Sequence, residues 1–304
     1  FIIIIMPRVQ LKPLCKDKYC KLSTELLKRL ERIGKDHIKE DLQRTLLSVL
    51  NKNDLNDKEF LSRYLLLAAV LDQQAKSETA RKVVIEIYKK YGRDFFMNPH
   101  QFIDKIYEIL DLVLSIYQSG LAHIRIPREG ITLLRMGGFI LALINITKNN
   151  KSLISYLKNS DGPRDLLRKI LNNKVLRGLL YEKAARMYVG WVSHPNLFIN
   201  IFEGRYSVSQ IPMVIDGHVC KVLARTGFLD SVLVENTEKY IVQAEEERRR
   251  IESLVSQLYP TGDYFMIDYG AFHVGITYCH EEKPECDKCP LNDICKKNIH
   301  IRAY

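Results

Sequence analysis

Apolar residues recur at helical spacing along most of the chain. Between about Thr24 and Tyr259 they stand three and four positions apart, as in Leu26, Leu27, Leu30 and Ile33, and again in Leu61, Tyr64, Leu65 and Ala68, which is the pattern of helices with one face turned to a core. Strand-like alternation is scarce, so the periodicity predicts an all-α protein. Turn-forming residues break it at 51–56, 120–130, 148–151, 159–163, 194–195, 207–212 and 260–262, dividing the chain into roughly a dozen helices with short connections. Charge blocks over 245–250 read as the solvated face of a long helix, and no internal repeat is present.

Composition sets the class of protein. With 304 residues, 46% of them hydrophobic, the chain can build one large or two medium cores. It carries 46 Lys and Arg against 36 Asp and Glu, a formal charge of +10, which favours a polyanionic partner such as nucleic acid or an anionic membrane surface. The apolar run Phe1 to Met6 is far shorter than the roughly 20 residues that span a bilayer, and no cleavable signal pattern follows it. It reads as a strand, a docking segment or an expression remnant. Of seven cysteines, four lie within 279–295 and three, Cys15, Cys20 and Cys220, are scattered. That is not a secreted disulfide framework, and it implies a reducing, cytoplasmic setting.

The clustered cysteines carry the sharpest chemical signal. Cys279-His-Glu-Glu-Lys-Pro-Glu-Cys286-Asp-Lys-Cys289-Pro-Leu-Asn-Asp-Ile-Cys295 has the spacing C-x6-C-x2-C-x5-C. Four thiolates from one short loop suit a [4Fe-4S] cluster, which takes a cysteine at each iron corner. The alternative is a structural zinc site, whose ligands usually come as two close pairs, whereas here only the middle pair is close. Four unrelated buried cysteines is the remaining alternative.

At these residues the chain resembles the iron–sulfur members of the helix-hairpin-helix DNA glycosylases, the endonuclease III-like enzymes, whose cluster loop has the same four-cysteine spacing after an aromatic-rich helix (here Phe272, His273, Tyr278). Three upstream segments extend the resemblance, over about Leu66 to Lys297. Ile211-Pro-Met-Val-Ile-Asp216-Gly-His-Val-Cys-Lys-Val looks like the family's V-D-x-H-V-x-R-V, with Asp216 in the catalytic aspartate's place. A lone Asp there would ordinarily be a helix N-cap, and the two roles are compatible. Leu176-Arg177-Gly178-Leu-Leu180-Tyr-Glu182-Lys183-Ala resembles the hairpin L-P-G-V-G-x-K-T-A, with Arg177 for the proline and Leu180 for the second glycine. Glycines there let backbone N–H groups approach a DNA phosphate, and Leu180 is expected to crowd that approach. Leu71-Asp-Gln-Gln74-Ala resembles L-S-x-Q-A. There Gln74 matches the residue that fills the hole left by an extruded nucleotide, and its ordinary alternative is a polar surface glutamine.

The resemblance implies a two-lobed, all-α helix-hairpin-helix glycosylase fold with a C-terminal [4Fe-4S] loop at 279–295. Residues 1–60 are expected to pack with 203–304, and 61–202 to form the lobe that carries the hairpin. It implies base-excision repair: cleavage of the N-glycosidic bond of a damaged or mispaired base in double-stranded DNA, by a monomer with no membrane association, in the cytoplasm at the nucleoid. Asp216 would stabilise positive charge developing on the sugar. Lys183 would attack the sugar as a neutral amine, form a Schiff base and so confer lyase activity. On a helix Lys183 shares a face with Met187 and Trp191, and its ordinary alternative is a lysine whose stem covers that stripe. A count without gaps from Gly178 puts Glu182 in the family's lysine position. The rivals are therefore a glycosylase that uses water, and a catalytically inactive iron–sulfur protein that binds nucleic acid. Lys174, Arg177, Gly178 and Arg186 are the expected DNA contacts near the hairpin. Glu281, Glu282 and Glu285 outnumber Lys283 in the cysteine loop, and such acids would repel phosphate.

Overall fold

The computed structural model describes residues 18–73, 77–118, 128–229, 240–242 and 244–303. The Phe1 to Met6 run, Cys15, Gln74 and residues 120–127 of one expected break lie outside them. No helix among the described residues is long and apolar enough to cross a membrane.

The chain divides into two compact units, Lys39–Ile211 on its own and Pro212–Tyr304 with the N-terminal segment up to Ile38. The expected boundary after residue 60 is thus displaced. Helix α1 (Lys18–Thr45) runs through the junction without a breaker, and its last turns belong with the larger unit. Leu42, Leu46 and Leu47 are buried there, and Tyr64 Oη donates to the Leu46 carbonyl at 2.9 Å. Residues 203–211, expected with the C-terminal lobe, also fall in the larger unit.

The larger unit is built around α3 (Lys58–Leu71), in which every residue from Phe60 to Leu71 is buried, mostly apolar side chains with Arg63 paired to Glu59 at 2.6 Å, as expected for a central helix. Asp57 caps it, Oδ1 accepting from the Glu59 and Phe60 amides at 2.9 and 3.1 Å, which satisfies N–H groups a helix start leaves without partners. The breaker-rich stretch 51–56 forms a short helix of its own, α2 (Lys52–Asn56), capped by Asn51. Around α3 stand α4 (Ser77–Tyr91), α5 (Asp94–Met97), α6 (Ile106–Gln118), α7 (Arg128–Asn150) and α8 (Leu153–Lys158). Phe95, Phe96 and Phe139 interlock with Phe60 and Tyr64, Phe96 edge-on to Phe60 and Phe95 and tilted on Tyr64, and Phe95 stacked on Phe139, geometries that avoid the face-to-face sandwich ring quadrupoles disfavour. Helices α9 (Pro163–Asn172) and α10 (Glu182–Ser193) complete the unit, with the buried Tyr188 of α10 donating to the Ser62 carbonyl of α3 at 3.2 Å.

The smaller unit packs α11 (Gly217–Arg225), α12 (Ala244–Leu258) and α13 (Tyr264–Thr277) with the first part of α1. Helices α1 and α13 cross at backbone contact. A Cβ on Gly270 would stand 1.9 Å from the Leu30 carbonyl oxygen, and one on Gly34 would stand 2.0 Å from that of Met266, so only glycine permits the crossing. In α12, Ile251 and Val255 are buried and Arg249 and Arg250 exposed. The periodicity misses one feature: β1 (Tyr240–Val242) and β2 (Ile301–Ala303) pair in parallel. Three residues per strand are too few to show an alternation.

Candidate functional site

Helices α9 and α10 are the two arms of a hairpin. Pro163 begins α9 at a position whose missing N–H costs nothing, and Leu166, Leu167 and Ile170 bury one face while Arg164 and Arg168 lie outside. The Asn173 side chain turns the chain by accepting from the Val175 and Leu176 amides at 2.9 and 3.0 Å, an Asx turn. Lys174, Arg177 and Gly178 are exposed. Nothing lies within 4 Å of where a Cβ on Gly178 would stand, so no neighbouring atom demands glycine there, and an approach from outside meets bare backbone.

Leu180 does not crowd that approach, contrary to the expectation from sequence. It is fully buried, and its amide donates to the Leu176 carbonyl at 2.8 Å, so the side chain points into the core. The loop is gripped from behind by Gln73, the neighbour of the Gln74 that matches the family's motif. Gln73 Nε2 donates to the Leu179 carbonyl at 2.7 Å, and its Oε1 accepts from the Tyr181 amide at 2.9 Å. Arg135 Nη1 holds the Gln73 carbonyl at 2.6 Å. Burial pushes the Arg135 guanidinium below its ordinary value.

At the start of α10, Glu182 and Lys183 occupy consecutive half-buried positions, and no side chain caps the helix. Glu182 pairs with Arg186, its Oε1 accepting from Nη2 at 2.8 Å and from Nε at 3.0 Å. Arg186 is buried in that pair, which sets it apart from the exposed Lys174 and Arg177. Met187 and Trp191, on the same helix stripe as Lys183, are both buried.

In the smaller unit, Asp216 is the N-cap of α11. Its Oδ1 accepts from the Val219 amide at 3.0 Å, and the residue stays half-exposed. It thus caps the helix with its carboxylate while the residue remains partly exposed. A Cβ on Gly275 of α13 would stand 2.9 Å from the His218 Cβ, and that closeness seats the first turn of α11 against α13. His218 meets Phe272 edge-on at 5.8 Å.

Beyond the end of α13 the chain folds into a loop whose four cysteines share one recess. Cys279 N–H bonds back to the Val274 carbonyl at 2.9 Å, Glu285 N–H closes onto the Tyr278 carbonyl at 2.7 Å, and Cys289 and Cys295 N–H bond to Cys286 and Leu291 carbonyls at 3.1 and 2.9 Å. The recess, about 360 Å³ with its open mouth, is lined by all four cysteines together with Val222, Arg225, Val274, Pro284 and Leu291 among others. Burial pushes the Cys289 thiol up to about 11, with the other three thiols adding to the rise, and burial raises Cys295 as well. Donors nevertheless point at sulfur: Arg225 Nη1 at 3.5 Å from Cys279 Sγ and the Lys297 amide at 3.3 Å from Cys295 Sγ. Among the described residues no three His, Cys, Asp or Glu side chains stand close enough together to hold a metal ion. Four cysteines lining one recess are nevertheless a donor set that could hold a thiolate-ligated metal group, a zinc ion or an iron–sulfur cluster alike. The acids of the loop are partly neutralised: Glu281 lies 3.2 Å from Lys221 Nζ and 3.6 Å from Arg225 Nη2, and Glu285 lies 2.8 Å from Lys288.

Known structures place this architecture. The chain superposes on endonuclease III in a non-covalent complex with DNA at a TM-score of 0.50 and 17% identity, over 90% of this chain and 95% of that one. The chain has the fold of endonuclease III. A second match, to a trapped covalent endonuclease III–DNA intermediate described as an estranged-adenine complex, has the same TM-score at 18% identity, over 90% and 96% of the two chains. No family model and no curated protein matches the sequence. The expected two-lobed, all-α helix-hairpin-helix fold is therefore present.

Proposed function

We propose that the protein is a DNA glycosylase that releases a damaged or mispaired base from duplex DNA, with Asp216 as its catalytic carboxylate. The observation that carries this reading is the half-exposed Asp216 at the head of α11, in a chain with the endonuclease III fold. A base inside a duplex is out of reach of a side chain, so it must first be flipped out, at a cost of a few kcal/mol. The exposed Lys174 and Arg177 and the bare backbone at Gly178 supply phosphate contacts that offset that cost. When the bond from sugar to base breaks, the base leaves with the electron pair and the sugar becomes cationic. The Asp216 carboxylate, oriented by the Val219 amide, stabilises that charge.

Two routes complete the reaction. In the first, the neutral Lys183 amine bonds to C1′ as the base leaves and loses a proton. The C1′–O4′ ring bond then opens, O4′ taking a proton, to leave a Schiff base, and loss of a C2′ proton expels the 3′ phosphate and nicks the strand. In the second, water attacks and the strand stays intact. The position of Glu182 at the first residue of α10, with Lys183 one place on, favours the second route, and the stripe that joins Lys183 to Met187 and Trp191 favours the first.

Cys279, Cys286, Cys289 and Cys295 are the residues proposed to hold a [4Fe-4S] cluster. When bound, such a cluster supplies a cross-link for the loop and a one-electron couple. Anaerobically purified protein is then brown, with roughly four irons per chain, and stoichiometric zinc without iron rejects the assignment. The glycosylase reading is tested with Asp216→Asn on a panel of single-lesion duplexes. Asparagine keeps size and capping ability, so folding and DNA affinity hold while base release falls about 10²–10³-fold. Undiminished release removes Asp216 from catalysis, and no release from any duplex by the parent favours the inactive nucleic-acid-binding protein.

A further inference from the structure

Helix α11 carries two cations into the interior. Lys221 and Arg225 are each 1% exposed, and their spacing of four residues puts both on one helix face. A buried cation is stable only when paired and fully hydrogen-bonded. Glu281 is the carboxylate that both reach, at 3.2 and 3.6 Å, so two positive charges share one negative. The other acceptors of this pair are neutral carbonyls, with one exception. Lys221 Nζ donates to Gly275 at 3.4 Å, and Arg225 donates to Ile301 at 2.7 Å, His280 at 2.7 Å and Glu281 at 3.1 Å. The exception is Cys279 Sγ, 3.5 Å from Arg225 Nη1.

We propose that Arg225 is the positioning residue for Cys279 and that, with Lys221 and Glu281, it sets the reduction potential of the four-cysteine cluster. The inference rests on the reading that these cysteines hold a cluster. A thiolate at Cys279 supplies the counter-charge that Glu281 alone does not. The fork of Arg225 joins the cysteine to the two residues after it and to β2, which fixes where that sulfur stands. A cation and an N–H donor beside a ligand sulfur stabilise the more electron-rich state of a cluster and raise its potential, while a nearby carboxylate lowers it. The couple takes one electron from an electrode and makes or breaks no bond.

The test is voltammetry of the anaerobically purified, iron-loaded protein and three variants, with iron content measured for each. Arg225→Met shifts the potential down, Arg225→Lys shifts it down by less, since charge stays and the fork is lost, and Glu281→Gln shifts it up. Opposite signs at two residues in contact cannot come from a merely loosened loop, which would move both the same way. If Arg225→Met does not retain iron, Arg225→Lys and Glu281→Gln decide. Iron-loaded variants with the parent's potential, or with shifts of one sign, overturn the role of Arg225 and leave the cluster standing. A parent that takes up no iron overturns the cluster reading itself.

Discussion

Gln73 holds Tyr181 by its backbone. The glutamine Oε1 accepts from the Tyr181 amide at 2.9 Å while its Nε2 reaches the Leu179 carbonyl at 2.7 Å, so one buried side chain spans the residue that replaces the hairpin's second glycine. Tyr181 itself is exposed, and the loop beneath it is fixed from the inner side. Replacement by leucine, Gln73→Leu, fills similar space but leaves an amide and a carbonyl without their partner. Leaving such groups unsatisfied costs about 1–3 kcal/mol, to be read as a lower denaturation midpoint. The same variant binds duplex DNA more weakly in an anisotropy titration, because the hairpin tip loses its fixed shape. A variant equal to the parent in both measurements refutes the clamp.

Lys174, Arg177 and Arg186 were grouped by sequence, and burial separates them. Lys174 and Arg177 are exposed, and each replaced by alanine weakens DNA binding uniformly across sequences and lowers the salt slope by about one. Arg186 is buried against Glu182, and Arg186→Ala strands that partner and removes packing. It lowers stability first and affinity only as a consequence. Titrations at several salt concentrations, set beside unfolding curves, distinguish the two behaviours.

Sequence periodicity passed over the breaks between α4 and α5 and between α9 and α10, but it was enough for the helical class and for several helix ends, because apolar spacing and turn residues act locally. Lys148–Lys151 shows this well: α7 stops at Asn150, and Lys151 takes the positive φ of 66° that ends it. The unit boundary was not legible, since α1 carries one unbroken apolar stripe into both cores. Spacing alone brought the four cysteines together as a group. The cations beside them, Arg225 and Lys221, were missed because a charged residue in a helix reads as solvated by default. The signal of the two cations was present all the same, Lys221 inside the apolar run Val219 to Ala224 and Arg225, four residues on, at its end. The expected effect of Leu180 failed for a related reason: spacing in a motif says which residue stands there and not which way its side chain points.

Gly270 permits the crossing of α1 and α13. A methyl group there would stand 1.9 Å from the Leu30 carbonyl oxygen, a backbone atom that cannot swing aside as a side chain would. In an open helix Gly→Ala is favourable by about 1 kcal/mol, and at this position the clash reverses the sign. Gly270→Ala is expected to destabilise by about 3 kcal/mol or more, the upper range for overpacking. Gly137, with nothing within 4 Å of its would-be Cβ, is the control: Gly137→Ala in α7 leaves stability unchanged or raises it. Unfolding midpoints for the two variants moving the same way count against this reading of the crossing.

The last test concerns the first turn of α10, where Glu182 and Lys183 differ by one residue, a rotation of about 100°. Only one of them can point where the family's lysine points. Glu182 is committed to Arg186 through two hydrogen bonds of 2.8 and 3.0 Å, which directs its carboxylate along the helix surface toward the next turn. Lys183 lies on the same helix stripe as the buried Met187 and Trp191, on the side of the first turn away from the Glu182–Arg186 pair. If Lys183 is the nucleophile, borohydride added during turnover reduces the Schiff base and traps a covalent protein–DNA adduct with the parent. Lys183→Gln abolishes that adduct and the strand nick, and Glu182→Gln retains both. An adduct that survives Lys183→Gln assigns the attack to another amine. Base release with no adduct in any variant establishes the water route, and Glu182→Gln then becomes the variant to watch, since a carboxylate at that position can orient the attacking water.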